Sequence, residues 1–137
     1  LVVAAVLAEE PDVLVFDGPT SALDPEGIRE FYEMVGELNE KEGLTVIVAE
    51  HHLEAALPYA KKFVLMNHGE IIVSGTPEEV MRRMYTEHIY EEAIPDMYKA
   101  QLELEQVGMT FENPFLNLAD AETSVIHSFA KGGEKDA

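Results

Sequence analysis

Cysteine is absent from these 137 residues, and basic side chains are scarce, with 9 Lys+Arg against 27 Asp+Glu. Without cysteine there is no disulfide scaffold, no thiolate metal site and no cysteine nucleophile, a composition compatible with a reducing compartment. The formal charge of -18 gives a surface that repels phosphate backbones. It excludes nucleic-acid binding by general electrostatics, though not a single phosphorylated ligand held by local backbone dipoles. No run approaches the roughly 20 apolar residues of a membrane-spanning helix. The longest, Leu1 to Ala8, lacks the basic start of a signal peptide and leads into Glu9-Glu10-Pro11. It reads as the end of a buried helix met in mid-pattern, as in a fragment. The hydrophobic fraction of 47% is ample for one core and rules out wholesale disorder.

Val13-Leu14-Val15-Phe16, ending at Asp17, is short and apolar on both faces, as in a central strand of a parallel sheet. Gly18-Pro19-Thr20-Ser21-Ala22-Leu23 then reads as a loop. Asp24 caps a helix with Pro25 at its first position. Its apolar stripe is Ile28, Phe31, Tyr32, Val35 and Leu38, and Gly43 stops it. Thr45 to Ala49 is a second buried strand, running out into Glu50-His51-His52, and a short helix follows from Leu53 to Ala60. Phe63 to Met66 and Ile71 to Val73 form a hairpin around Asn67-His68-Gly69-Glu70. Thr76-Pro77-Glu78-Glu79 is a capping box that opens another helix. Glu87 to Val107 reads as acidic helix and Gly132 to Ala137 as a frayed tail. The order of elements predicts a parallel α/β layer with right-handed crossovers.

An acidic residue at the carboxyl end of a buried parallel strand lies where α/β folds bind ligands, and it suits a magnesium ion that bridges phosphates. Taken alone, Asp17 is as readily a strand terminator. The whole stretch VLVFDGPTSALDPE changes that balance, because it resembles the Walker B motif and D-loop of ABC-type ATPases. That motif is four apolar residues, Asp, Glu, Pro, Thr, Ser, a small residue, Leu, Asp and Pro. Val46-Ile47-Val48-Ala49-Glu50-His51 is similar to the strand and switch histidine of the H-loop. Lys61 to Val80 resembles the hairpin and helix that close transporter nucleotide-binding domains. Glu50-His51-His52-Leu53-Glu54 with Leu57-Pro58-Tyr59-Ala60 looks like the energy-coupling-factor branch, which imports vitamins or cobalt and nickel ions.

The resemblance implies a P-loop NTPase-like α/β fold: a parallel sheet with flanking helices, present here as a partial domain, and a mostly helical C-terminal extension. Residues 1–84 would be the C-terminal half of the nucleotide-binding domain and residues 85–137 the acidic extension. It also implies ATP and Mg2+ as cofactors, Asp17 as the magnesium residue and His51 as the γ-phosphate contact. Ser21, Ala22, Leu23 and Asp24 would be the D-loop at a dimer interface. The partners implied are a second ATPase unit and a transmembrane transporter subunit, at the cytoplasmic face of the membrane. His52, His68, His88 and His127 read as solvated loop histidines, and an adjacent His51-His52 metal pair is disfavoured because neighbouring side chains diverge.

Two departures qualify the resemblance. The family's glutamate after the Walker B aspartate, which polarises the attacking water, is Gly18 here, so general-base help worth about 10²–10⁴-fold is missing at that position. Glu50 is a weak substitute, since a strand-end side chain can point either way. The P-loop pattern G-x-x-x-x-G-K-[ST] and the LSGGQ-like signature occur nowhere in the chain. The reading is therefore an ATPase half-domain with a degenerate catalytic-base position. Two alternatives are a non-catalytic regulatory remnant of such an ATPase and a chromosome-maintenance or DNA-repair ATPase. The capping-box closure, the missing heptads and the acidic surface oppose the latter.

Overall fold

The computed structural model describes residues 6–51 and 53–132. They fall into two compact units that divide between Tyr59 and Ala60. Most of Leu1 to Ala8 and of the C-terminal tail, with His52, lies outside the described residues.

The first unit is built on two strands, β1 (Val13–Asp17) and β2 (Thr45–Ala49), paired parallel from Val13↔Thr45 to Asp17↔Ala49. Between them runs helix α1 (Pro25–Lys41), which starts where the sequence directs: Asp24 is extended, and its carboxylate accepts the Gly27 amide at 2.8 Å. Strand alternation divides the β1–β2 sheet into two faces. Leu14 is buried, and Phe16 meets Phe31 of α1 edge-on at 5.1 Å. Tyr32 continues this cluster, edge-on to Phe31 and stacked on Tyr59 at 6.0 Å. The opposite face carries Val13, Val15 and Ile47, of which Val15 is 68% exposed. The strands were expected to be apolar and buried on both faces. Among the described residues of this unit only the α1 side is covered, because a two-stranded sheet with one crossover helix covers a single face.

The short helix after His51 is also reduced. It spans Leu53–Ala56 (α2) rather than reaching Ala60. Pro58 has no amide to donate and disfavours a helical conformation at Leu57, so the chain leaves in a turn with Tyr59 N bonded to Ala56 O at 3.1 Å.

In the second unit, β3 (Phe63–Asn67) and β4 (Glu70–Gly75) form a separate antiparallel hairpin. His68 and Gly69 both have positive φ, 47° and 80°, as a two-residue primed turn requires. Thr76 caps helix α3 (Pro77–Thr86) with the full reciprocal capping box to Glu79. The predicted helix from Glu87 to Val107 is shorter, α4 (Asp96–Gln106) preceded by a 3-10 turn at Glu91–Ala93. His88 and Tyr90 sit in the left-handed region, and the helix restarts at Asp96 with Pro95 as its N-cap residue. Helix α5 (Leu118–Gly132) follows, its first turn held by Asn117, whose Oδ1 accepts the Asp120 amide at 2.9 Å.

Val80, Met81 and Met84 are fully buried, packed with Val73, Ile94, Tyr98, Leu102, Phe115 and Ala121 as the core of this unit. Burying one such side chain contributes about 1.5–3 kcal/mol. Arg82 of α3 makes a two-pronged pair with Glu105 of α4. Buried Gln101 then accepts the Phe115 amide at 2.7 Å and donates to Glu105 at 2.8 Å, which ties the segment before α5 onto α4. No helix among the described residues is long and apolar enough to cross a membrane.

Candidate functional site

The parallel register decides what comes together. Because Asp17 pairs with Ala49, β1 and β2 end at the same level, and both following segments leave the sheet at one edge. The ladder continues for one further bond, Gly18 N to Ala49 O at 2.9 Å. Asp17, at this edge, is exposed, on the same side of the sheet as Val13 and Val15. Its carboxylate faces solvent at the carboxyl end of the parallel pair, where ligands of α/β folds bind.

Gly18 has φ +55°, and a Cβ built on it meets nothing within 4 Å. The chain reverses there in a tight turn. Gly18 O accepts the Ser21 hydroxyl at 2.9 Å and the Ser21 amide at 3.3 Å, while Thr20 O accepts the Leu23 amide at 3.0 Å. Ser21, Ala22, Leu23 and Asp24 project as an exposed loop, including an exposed Leu23. Asp24 already has work within the chain, since its carboxylate caps α1.

Thr20 behaves differently from its neighbours. It is 3% exposed, and its hydroxyl donates to Glu50 Oε2. The other oxygen, Glu50 Oε1, accepts the His51 backbone amide at 2.8 Å. Glu50 therefore lies turned toward the α1 side of the sheet. Its charge is felt by Tyr32, whose buried phenol is pushed up to about 12, first by burial and then by Glu50. The Tyr32 hydroxyl has no hydrogen-bond partner among the described residues. His51 itself is exposed, like Asp17. Asp17, the Gly18 turn and His51 thus share one edge, although Asp17 and His51 are far apart in sequence. Thr20 was not among the sequence-derived site residues, although it is the threonine of the VFDGPTSALDP motif, and Glu50 was weighed there only as a substitute base.

The donor set fits a magnesium ion held largely by water and phosphate. Among the described residues no cluster of three or more His, Asp or Glu is arranged to hold a metal. Magnesium is suited to such a site, since it keeps several waters and takes one or two carboxylates plus phosphate oxygens. Among the described residues Asp17 would be the one carboxylate at this end of the sheet facing solvent on that side. Gripping the β- and γ-phosphates needs a P-loop, which this sequence does not contain.

No family model matches the chain. It is 37% identical over 135 residues to the "Energy-coupling factor transporter ATP-binding protein EcfA2" of Bacillus thuringiensis strain Al Hakam, a match covering 97% of this chain and 46% of the relative. The protein of the same description from Bacillus subtilis strain 168 is 36% identical over 134 residues, covering 97% of this chain and 48% of the relative. Among solved structures, cbiO1 from Clostridium perfringens, described as part of the ABC transporter complex cbiONQ, aligns with a TM-score of 0.55 at 32% identity. That alignment covers 77% of this chain and 38% of the other. The chain thus spans about half the length of the curated relatives it matches.

Proposed function

Because the chain belongs to the ABC-type ATPases, with its relatives in the energy-coupling-factor branch, we propose that it supplies the C-terminal half of a transporter's ATP-binding cassette. In this reading residues 1–84 carry the Walker B, D-loop and H-loop elements, and residues 85–137 are an acidic extension. The observation that carries it is the common edge of β1 and β2, where Asp17, the Gly18 turn and His51 leave the sheet together.

Asp17 holds Mg2+ through its exposed carboxylate, and the bound ion supplies charge neutralisation on the nucleotide phosphates. His51 contacts the γ-phosphate. Ser21, Ala22 and Leu23, presented on the turn that Asp24 anchors to α1, meet a second ATPase unit. The P-loop and signature come from a segment outside these 137 residues and from that second unit. Gly18 leaves this site without its carboxylate, so it binds Mg-ATP yet turns over slowly, and a partner site with an intact glutamate carries most of the hydrolysis.

The branch resemblance supports import of a vitamin or a metal ion, through a transmembrane subunit at the cytoplasmic face of the membrane. The description of cbiO1 as part of a transporter complex supports such a membrane partner. The chain on its own is non-catalytic in this reading, supported by the absence of the P-loop pattern from its sequence.

Isothermal titration with Mg-ATP tests the reading on two samples. The isolated 137 residues bind no nucleotide tightly, whereas the complete protein that carries them does, and Asp17→Asn weakens that binding in the presence of magnesium. Micromolar affinity in the isolated chain, or an Asp17→Asn protein indistinguishable from the parent, overturns it.

A further inference from the structure

We propose that Glu50 is a positioning residue: a latch that holds the loop bearing His51 to the turn bearing Ser21, Ala22 and Leu23. This rests on the ATPase reading above and names a coupling within that site.

The geometry is specific. One carboxylate takes a hydrogen bond from each of the two segments that leave the sheet edge, Thr20 Oγ1 on one side and His51 N on the other. Thr20 is not a freely rotating surface hydroxyl. It is 3% exposed, and its own carbonyl accepts the Leu23 amide, so it is locked into the turn it reports on. The second bond reaches the backbone of the very residue that would meet the γ-phosphate. Hydrogen bonds to an ionised acceptor are stronger than neutral ones, and a half-buried carboxylate is where that difference is felt. Movement of the exposed Ser21–Leu23 segment is thereby passed to His51 through a single side chain.

The same geometry opposes the other role open to Glu50, replacement of the carboxylate missing at Gly18. Strand alternation puts Glu50 on the α1 side with Val46 and Val48, beside the Tyr32 phenol, whereas Asp17 lies on the opposite face. Both of its oxygens already accept protein donors.

The test uses the complete protein that carries this chain, with any intact partner site disabled. Thr20→Val removes the hydroxyl at nearly constant shape. Glu50→Gln keeps an acceptor for one donor but turns an amide NH2 toward the other. Each variant is expected to lower kcat about tenfold, which is about 1.4 kcal/mol, with Mg-ATP affinity within about twofold of the parent. Thr20→Ser restores the parent rate. The double variant falls no further than the worse single one, because both remove the same coupling. Independently of nucleotide, amide hydrogen exchange at His51 speeds up in Thr20→Val and stays at the parent rate in Thr20→Ser.

Loss of turnover in Glu50→Gln with Thr20→Val unaffected overturns the latch and makes Glu50 a group that acts on water by itself. Unchanged exchange at His51 in Thr20→Val overturns it as well, whether or not the protein hydrolyses ATP. A parent protein that binds no Mg-ATP instead overturns the ATPase reading, while the exchange measurement still decides the latch.

Discussion

Gly18→Glu introduces the carboxylate that the resemblance to ABC-type ATPases implies after Asp17, the residue proposed above to hold Mg2+, and the structure sets the size of the expected effect. Two effects oppose each other. A general base contributes about 10²–10⁴-fold in rate. Against it stands the backbone: Gly18 has φ +55°, and an L side chain in that region costs about 1–2 kcal/mol. A clash at Cβ adds nothing to the cost, since apart from its chain neighbours a Cβ at this position meets no atom of the described residues within 4 Å. At about 1.4 kcal/mol per tenfold, the strain removes roughly five- to thirtyfold if it must be overcome in every turnover. The net expectation is a rise in turnover from about threefold to above a thousandfold. The assay is single-site hydrolysis in the complete protein with the partner site disabled, and Gly18→Gln is the control. Glutamine carries the same backbone strain and similar bulk but no base, so Gly18→Gln should show the same loss of unfolding free energy and no gain in rate. Equal rates for the Glu and Gln variants would refute the reasoning. So would a parent site already as fast as an intact one, which would require a base from elsewhere.

In the second unit, Met84 is fully buried, and Met84→Ala should lower the unfolding free energy by about 2–5 kcal/mol in urea titration; a change below about 1 kcal/mol would mean that this core is not packed as described. The Arg82–Glu105 pair should make the same unit acid-sensitive. Arg82 holds the Glu105 carboxyl below its ordinary value of 4.5, with further help from Gln101. A carboxyl depressed in the folded state contributes stability that is complete above pH 4.5 and lost as pH falls through the folded value. Glu105→Gln should therefore destabilise the protein at neutral pH, and the difference from the parent should shrink on acidification. A pH-independent difference would show that the pair contributes nothing through its charge.

Local chemistry was legible without any structure wherever the cause lay within a few residues. Asp24-Pro25 and Thr76-Pro77-Glu78-Glu79 announce helix starts, because the capping side chain and the amide it satisfies are three residues apart. His68-Gly69 announces a hairpin for the same reason. The VLVFDGPTSALDP stretch pointed to Asp17, Gly18 and the Ser21–Asp24 loop, and Val46 to His51 pointed to His51, through their resemblance to one family. Helix lengths were overestimated where a near cause was underweighted: Pro58 and Pro95 lie inside the stretches read as helix, and the helices stop before Pro58 and start after Pro95. Tertiary structure alone decided the rest. The strand sequences could not say that Val15 and Ile47 would lie exposed, because burial depends on what covers a face and not on the residues that form it. Nor could they tell which way Glu50 turns. That follows from the parallel register, which ends both strands together and brings a buried Thr20 hydroxyl within reach of a carboxylate thirty residues away. A contact between segments so far apart in sequence is specified by how the sheet pairs, and pairing is a property of the whole packed unit rather than of either segment.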